Sequence, residues 1–137
     1  MLVVDAGPLV AAAATGDRNH ERCVSLLSQA TPPLIVPVLV VTEVAYFLGD
    51  RIGPVAEQAF AESIRDGELV VEALAPSDWP RISELLDHYA DLPLGIVDAS
   101  VIATLERLEV ATLATLDRRH FSAVRTQLRQ PLTLLPD

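Results

Sequence analysis

Short apolar runs rich in β-branched residues alternate along the whole chain with longer segments of helical periodicity. Strands that read as continuous apolar runs and are separated by helices are typical of a parallel sheet covered on both faces. The alternation therefore predicts the α/β fold class. The predicted strands are residues 2–4, 34–36, 68–74 and 111–116, with a short fifth strand at 132–135.

The helical segments carry recognisable start and stop signals. Asp17 is a suitable cap for the second predicted helix, on which Cys23 and Ala30 share a face. Pro37 can begin the third helix, and Gly49 would end it. The other helices are expected over residues 8–15, 54–66, 77–89 and 95–108.

The chain has 137 residues, half of them hydrophobic, with no internal repeat or linker-like segment. We therefore expect one domain over residues 1–137. The longest apolar run, residues 34–41, is interrupted by Pro37 and is far shorter than the roughly 20 residues needed to cross a bilayer. A secretory signal requires basic residues before its apolar segment, and no basic residue precedes the first apolar segment here. We therefore expect a cytoplasmic protein with no membrane association.

All ten basic residues are arginine, and nineteen acidic residues give a net charge of −9. This balance argues against broad non-specific nucleic-acid binding and favours binding of cations or of a basic partner. The single cysteine, Cys23, cannot form an intrachain disulfide. Together with His20 it offers only two metal ligands, which do not make a zinc site.

Two carboxylates directly follow predicted strands: Asp5 ends the first apolar run, and Asp117 follows the fourth. Because sites in open α/β sheets form at the carboxyl ends of the strands, both side chains are expected at one edge of the sheet. Each also has a purely structural interpretation. Asp5 precedes Pro8 at a spacing that suits a helix cap, and Asp117 is an ordinary turn residue.

Two more carboxylates lie on predicted helices among aliphatic neighbours. Glu43 has apolar residues three and four positions away in both directions, where an unpaired carboxylate is costly. Asp98 lies near the start of its helix, where the helix dipole gives a carboxylate modest support. Four carboxylates at one sheet edge repel one another unless a cation lies among them, and oxygen ligands suit Mg²⁺ or Mn²⁺. The expected chemistry is phosphodiester hydrolysis.

Four segments, VVDAGPLVA, VTEVAYFL, GIVDASVIATLERL and TLATLDRRHF, resemble in order and spacing the PIN-domain ribonucleases, and among them the VapC toxins of toxin–antitoxin pairs. The resemblance implies an α/β/α sandwich with a central, mostly parallel sheet of four to five strands flanked by helices. It implies that an RNA phosphodiester is cleaved to leave a 5′-phosphate and a 3′-hydroxyl. The residues implied as catalytic and as ligands of Mg²⁺ or Mn²⁺ are Asp5, Glu43, Asp98 and Asp117.

The resemblance also implies partners. Members of the family usually form homodimers and are inhibited by a cognate VapB-like antitoxin, in a heterotetramer or a larger assembly. Their substrates are transfer, ribosomal or messenger RNA, and nothing in the chain selects among these. A net charge of −9 suits an antitoxin with a basic segment.

Residues around Asp117 keep two interpretations. Thr115 matches a family hydroxyl that orients the pocket, but it is equally an ordinary strand residue. His120 stands where many relatives carry another acid, and a surface turn histidine is the preferred interpretation. Arg118 and Arg119, followed by two further arginines, form either a basic rim near the pocket or a solvated surface.

Other classes with an aspartate after the first strand fit less well. Haloacid-dehalogenase-like phosphatases and response-regulator receiver domains both need a lysine, and this chain contains none. The remaining alternative is a non-catalytic PIN-like module that binds RNA or protein. Retention of all four acids argues against it, because burying like charges without using them is destabilising.

Overall fold

The computed structural model describes residues 1–137 and contains one sheet of five strands, all paired in parallel. The strand order is β3-β2-β1-β4-β5. This arrangement confirms the predicted α/β class and all five predicted strands. The strands are β1 (Leu2–Val4), β2 (Leu34–Pro37), β3 (Val70–Glu72), β4 (Thr112–Ala114) and β5 (Thr133–Leu135).

Seven helices accompany the sheet. The first, third and fourth pack in series, the second packs on the first, and the fifth packs on the sixth. None of them is long and apolar enough to span a membrane. The helices are α1 (Ala6–Ala13), α2 (His20–Gln29), α3 (Val38–Arg51), α4 (Pro54–Arg65), α5 (Asp78–His88), α6 (Ile96–Leu108) and α7 (Arg118–Ala123).

Strand β1 is the centre of the sheet. The chain builds outward from β1 to β2 and β3, then returns to the other side of β1 to form β4 and β5. Val3 and Val4 are fully buried, as expected for a strand covered on both faces. The strand order therefore reverses between β1 and β4, which is where α/β sheets place their sites.

Helix α3 is longer than predicted, because Gly49 does not end it. The helix passes through Gly49 to Arg51, and the chain then turns at Gly53, whose φ of 127° disfavours other residues. A side chain at Gly49 would collide with the carboxylate of Glu57 on α4. That carboxylate is the exposed end of a flexible side chain and can move aside, so this contact does not require the glycine, which costs about 1 kcal/mol in helix propensity.

Two other boundaries differ from the predictions. Asp17 does not cap α2: its Oδ1 accepts a hydrogen bond from the amide of Asn19 at 2.7 Å, which closes the turn before the helix. The polar turn expected after Asp117 is the short helix α7. Asp117 is its N-cap and accepts a hydrogen bond from the amide of His120.

Helix α6 is tied to its neighbours by one arginine. The Arg107 guanidinium contacts both carboxylate oxygens of Asp78 on α5, at 3.0 and 3.1 Å, and also Glu72 on β3. Asp78 is buried, and its second oxygen accepts a hydrogen bond from the amide of Ala75. The Asp78 and Glu72 carboxylates hold the pKa of Arg107 above its usual value. This contact orients the helix that carries Asp98.

Candidate active site

The four carboxylates predicted from the sequence line one cavity of about 440 Å³. It opens where β1 and β4 end, since Val4 pairs with Ala114 and the amide of Asp5 donates to the carbonyl of Ala114 at 2.9 Å. Asp5 and Asp117 follow these two strands, whereas Glu43 lies on α3 and Asp98 on α6. Four separate elements thus contribute one acid each.

Asp5 is the most buried of these acids, with 7% of its surface exposed. It occupies the N-cap position of α1, but its side chain makes no capping hydrogen bond. Burial raises the pKa of Asp5, and the charge of Asp117 adds to that rise, while hydrogen bonds from the Ala6 amide and the Thr115 hydroxyl oppose it. The Asp5 carboxylate therefore lines the cavity, where the Thr115 hydroxyl holds it, although its residue occupies the N-cap position of α1.

The Thr115 hydroxyl connects the two strand-end acids. It donates to Oδ2 of Asp5 at 2.9 Å and accepts from the amide of Asp117 at 3.0 Å. The residue is only 1% exposed, so these contacts satisfy a buried hydroxyl completely. Of the two interpretations of Thr115, the structure favours the one in which it orients the pocket.

The two helical acids are partly buried and electrostatically coupled to the others. Burial raises the pKa of Glu43, and the charge of Asp5 raises it further. Burial, followed by the charges of Asp5 and Asp117, raises the pKa of Asp98 to about 6, although His120 opposes the rise. The ionised forms of these groups are thus unfavourable until positive charge enters the cavity.

His120 contacts two of the acids, so the preferred interpretation of a surface turn histidine is wrong. Its Nδ1 lies 2.6 Å from Oδ2 of Asp117 and 3.6 Å from Oδ2 of Asp98, and its side chain is only 23% exposed. The cause is α7: one helical turn brings position 120 back over Asp117.

The donor set fits a hard divalent cation. One ligand atom from each of Asp98, Asp117 and His120 lies within 4.8 Å of the other two, and the carboxylates of Asp5 and Glu43 line the same cavity. Carboxylate oxygens suit Mg²⁺ and Mn²⁺, and Mn²⁺ also accepts an imidazole nitrogen.

The structure adds three cavity-lining residues that the sequence reasoning missed: Asp17, Phe47 and Arg51. Phe47 and Arg51 follow Glu43 at intervals of four residues, so all three share one face of α3. This spacing was a usable signal. Because the third helix was expected to end at Gly49, Arg51 was not assigned to the helix face that carries Glu43 and Phe47.

The arginines after Asp117 do not line this cavity. The guanidinium of Arg118 donates to the carbonyl oxygens of Leu134 and Pro136 and so joins α7 to the end of the chain. Arg125 and Arg129 line a separate cavity of about 560 Å³. Of the two interpretations of these arginines, the basic rim is therefore not formed around the acids.

Comparison with known proteins gives concordant results. The family model described as "PIN domain" matches residues 2–126. Ribonuclease VapC26 of Mycobacterium tuberculosis is 27% identical over 135 residues, which cover 98% of this chain and 100% of that protein. The fold is similar to the crystal structure of Mycobacterium tuberculosis VapC20, described as a sarcin–ricin loop cleaving toxin. The two structures align with a TM-score of 0.79 and 21% sequence identity, and the alignment covers 91% of this chain and 97% of the VapC20 chain.

Proposed function

This chain belongs to the PIN-domain family, and from that membership we propose that it is a metal-dependent endoribonuclease, the toxin of a VapBC-type toxin–antitoxin pair. The observation that carries the proposal is the meeting of Asp5, Glu43, Asp98 and Asp117 in one cavity at the switch point of the sheet. The likeness to Ribonuclease VapC26 over nearly the whole length of both chains supports the same activity.

In this proposal Asp5, Glu43, Asp98 and Asp117 are the catalytic acids and hold Mg²⁺ or Mn²⁺. The bound metal would lower the pKa of a water molecule and neutralise charge on the RNA phosphate. Thr115 fixes the orientation of the Asp5 carboxylate. His120 holds Asp117 through both its amide and its imidazole. The protein's own contribution is thus a set of oriented carboxylates whose ionised forms are unfavourable without a cation.

The partners follow from the same proposal. We propose RNA as the substrate, cleaved to 5′-phosphate and 3′-hydroxyl ends, and a VapB-like antitoxin with a basic segment as the inhibitor. The net charge of −9 supports a basic partner. We further propose that the protein acts in the cytoplasm as a homodimer, with residues 1–137 forming one PIN domain.

The experiment is cleavage of total cellular RNA by purified protein that is free of antitoxin, with Mg²⁺, Mn²⁺ or EDTA. Wild type is compared with Asp98→Asn and with Asp87→Asn, a control that alters an exposed acid on α5. We expect discrete metal-dependent cuts with 5′-phosphate ends in wild type and in the control, and none in Asp98→Asn. A folded wild-type protein that binds RNA but leaves it uncut would instead indicate the non-catalytic module.

A further inference from the structure

We propose that Arg51 is a second anchor for the RNA and binds a phosphate further along the strand from the one that is cut. The inference rests on the proposed function, since it names a substrate contact for the same cavity. Arg51 is the one positively charged side chain among the twelve residues that line the acidic cavity. All the other charged residues in that lining are carboxylates.

The position of Arg51 follows from the geometry of α3. Glu43, Phe47 and Arg51 succeed one another at four-residue intervals along one helix face, and all three line the cavity. Eight residues of α-helix correspond to a rise of about 12 Å. The backbone positions of Glu43 and Arg51 therefore mark two ends of one face of α3. A strand of RNA can reach both ends because it carries a phosphate at every nucleotide.

The Arg51 guanidinium is also oriented and uncommitted. Its central carbon lies 4.7 Å from the centroid of the Phe47 ring, within the range of a cation–π contact. It forms no ion pair and donates no side-chain hydrogen bond to the protein. Five other arginines each donate to a carboxylate or a carbonyl group: Arg22, Arg65, Arg81, Arg107 and Arg118.

These properties match phosphate recognition. A guanidinium presents a planar set of donors that can bind two phosphate oxygens at once. Because stacking on the Phe47 ring already restricts the Arg51 side chain, the side chain loses less conformational freedom when it binds a phosphate. An acidic cavity repels RNA in general, so a local cation is needed to bring the backbone to it. The Phe47 ring and the Arg51 fork together form a phosphate clamp on α3.

The test compares Arg51→Ala with Arg65→Ala. Arg65 is a matched control because it is also an exposed arginine in the last turn of a helix, on α4, and does not line the cavity. Binding of fluorescein-labelled single-stranded RNA of mixed sequence is measured at several salt concentrations, in an Asp98→Asn background that leaves the RNA uncut. Each phosphate contact contributes about 0.7 to the slope of log K against log salt for single strands.

We expect Arg51→Ala to reduce this slope by about 0.7 and to weaken binding about tenfold, while Arg65→Ala leaves both values unchanged. Arg51→Lys keeps the charge, so the slope should return to the wild-type value although part of the affinity remains lost. Phe47→Leu should weaken binding with the slope intact, since only the orientation of the guanidinium is lost. Equal slopes in Arg51→Ala and Arg65→Ala would overturn the proposal.

Cleavage kinetics provide the second measurement. In an otherwise wild-type protein, Arg51→Ala should raise KM about tenfold and change kcat less than about twofold, because the lost contact is made equally in the ground state and in the transition state. A kcat that falls with an unchanged KM would contradict a binding role. If wild type itself leaves RNA uncut, the proposed function fails, whereas the binding comparison still decides the role of Arg51.

Discussion

Asp117 accepts two hydrogen bonds from a single residue, His120: one from the backbone amide to Oδ1 at 3.1 Å and one involving Nδ1 and Oδ2 at 2.6 Å. The first begins helix α7, and the second fixes the carboxylate plane beside Asp98. His120 thus both completes the N-cap of α7 and orients the Asp117 carboxylate in the cavity. Metal sites commonly depend on such supporting contacts.

Replacement of His120 should therefore weaken metal binding. We expect His120→Ala to lower the affinity for Mn²⁺ about 10- to 100-fold, because Asp117 loses its side-chain partner. His120→Asn should recover part of the affinity, since an amide nitrogen can replace Nδ1 as a donor. Titration calorimetry with Mn²⁺ measures both values. His88→Ala, which changes an exposed histidine on α5, is the control, and a His120→Ala affinity equal to it would rule out this role.

The Thr115 hydroxyl should matter more than its size suggests. Thr115→Val keeps the shape but removes the donor to Asp5 and the acceptor for the Asp117 amide, which should reduce the free energy of unfolding by about 1–3 kcal/mol. It should also raise the pKa of Asp5 further and reduce cleavage. Thr115→Ser should behave like wild type in both respects. Chemical denaturation and RNA cleavage test this, with the exposed Thr133→Val on β5 as reference.

In the metal-free protein, the contribution of Asp98 to stability should fall as the pH rises through the acidic range. The pKa of Asp98 is about 6 in the folded chain against an ordinary value of 3.8. Between these values the folded chain holds a proton that the unfolded chain has lost, so the Asp98 contribution to stability falls from about pH 4 to about pH 6 and stays low above it. A difference of about two pKa units corresponds to about 3 kcal/mol at most.

Asp98→Asn should remove this loss. In EDTA at pH 7 the variant is expected to be more stable than wild type, and its stability should depend less on pH between 4 and 6. Added Mn²⁺ should stabilise wild type much more than the variant, because a ligand raises stability only where it binds. Thermal denaturation over this pH range measures all three effects. Parallel curves for the two proteins in EDTA would show that Asp98 is not the titrating group.

Arg107 should be needed for folding and not for chemistry. Arg107→Leu leaves Asp78 buried without its ion-pair partner, which should reduce the free energy of unfolding by about 3–5 kcal/mol. The Asp78→Asn, Arg107→Leu double variant should recover part of the loss, since no charge then remains buried. Urea denaturation measures the difference against Arg119→Leu, an exposed position. A loss below about 1 kcal/mol would mean that water satisfies Asp78.

The sequence alone was sufficient for the strands and for the meeting of the acids. Parallel strands leave a strong signal because they are apolar without interruption, and a carboxylate at the end of such a run stands out. The family expectation is confirmed by the match over residues 2–126. The roles of Asp5, Glu43, Asp98 and Asp117 as metal ligands stay a prediction, to be decided by the experiments above.

Two features that the sequence did not predict lie at helix boundaries, the end of α3 and the start of α7. Gly49 has the character of a helix end, yet α3 buries Val40, Val44 and Leu48 in the core and continues past the glycine to Arg51. His120 looked like a turn residue, because a helix as short as α7 has little periodicity to detect. At Gly49 tertiary packing overrides a local preference, whereas at His120 the deciding contact is local: the N-cap hydrogen bond to Asp117, three residues earlier.

The central position of β1 has a consequence for synthesis of the protein. The hydrogen bond from Thr115 to Asp5 joins residues 110 positions apart, and β1 has β4 as one of its two neighbours in the sheet. On the ribosome, β1 emerges early, but its second neighbour, β4, is synthesised only when most of the chain is complete. A nascent chain shorter than this carries Asp5 but no assembled site. The order of the strands therefore delays assembly of the acidic cavity until translation of the chain is almost finished.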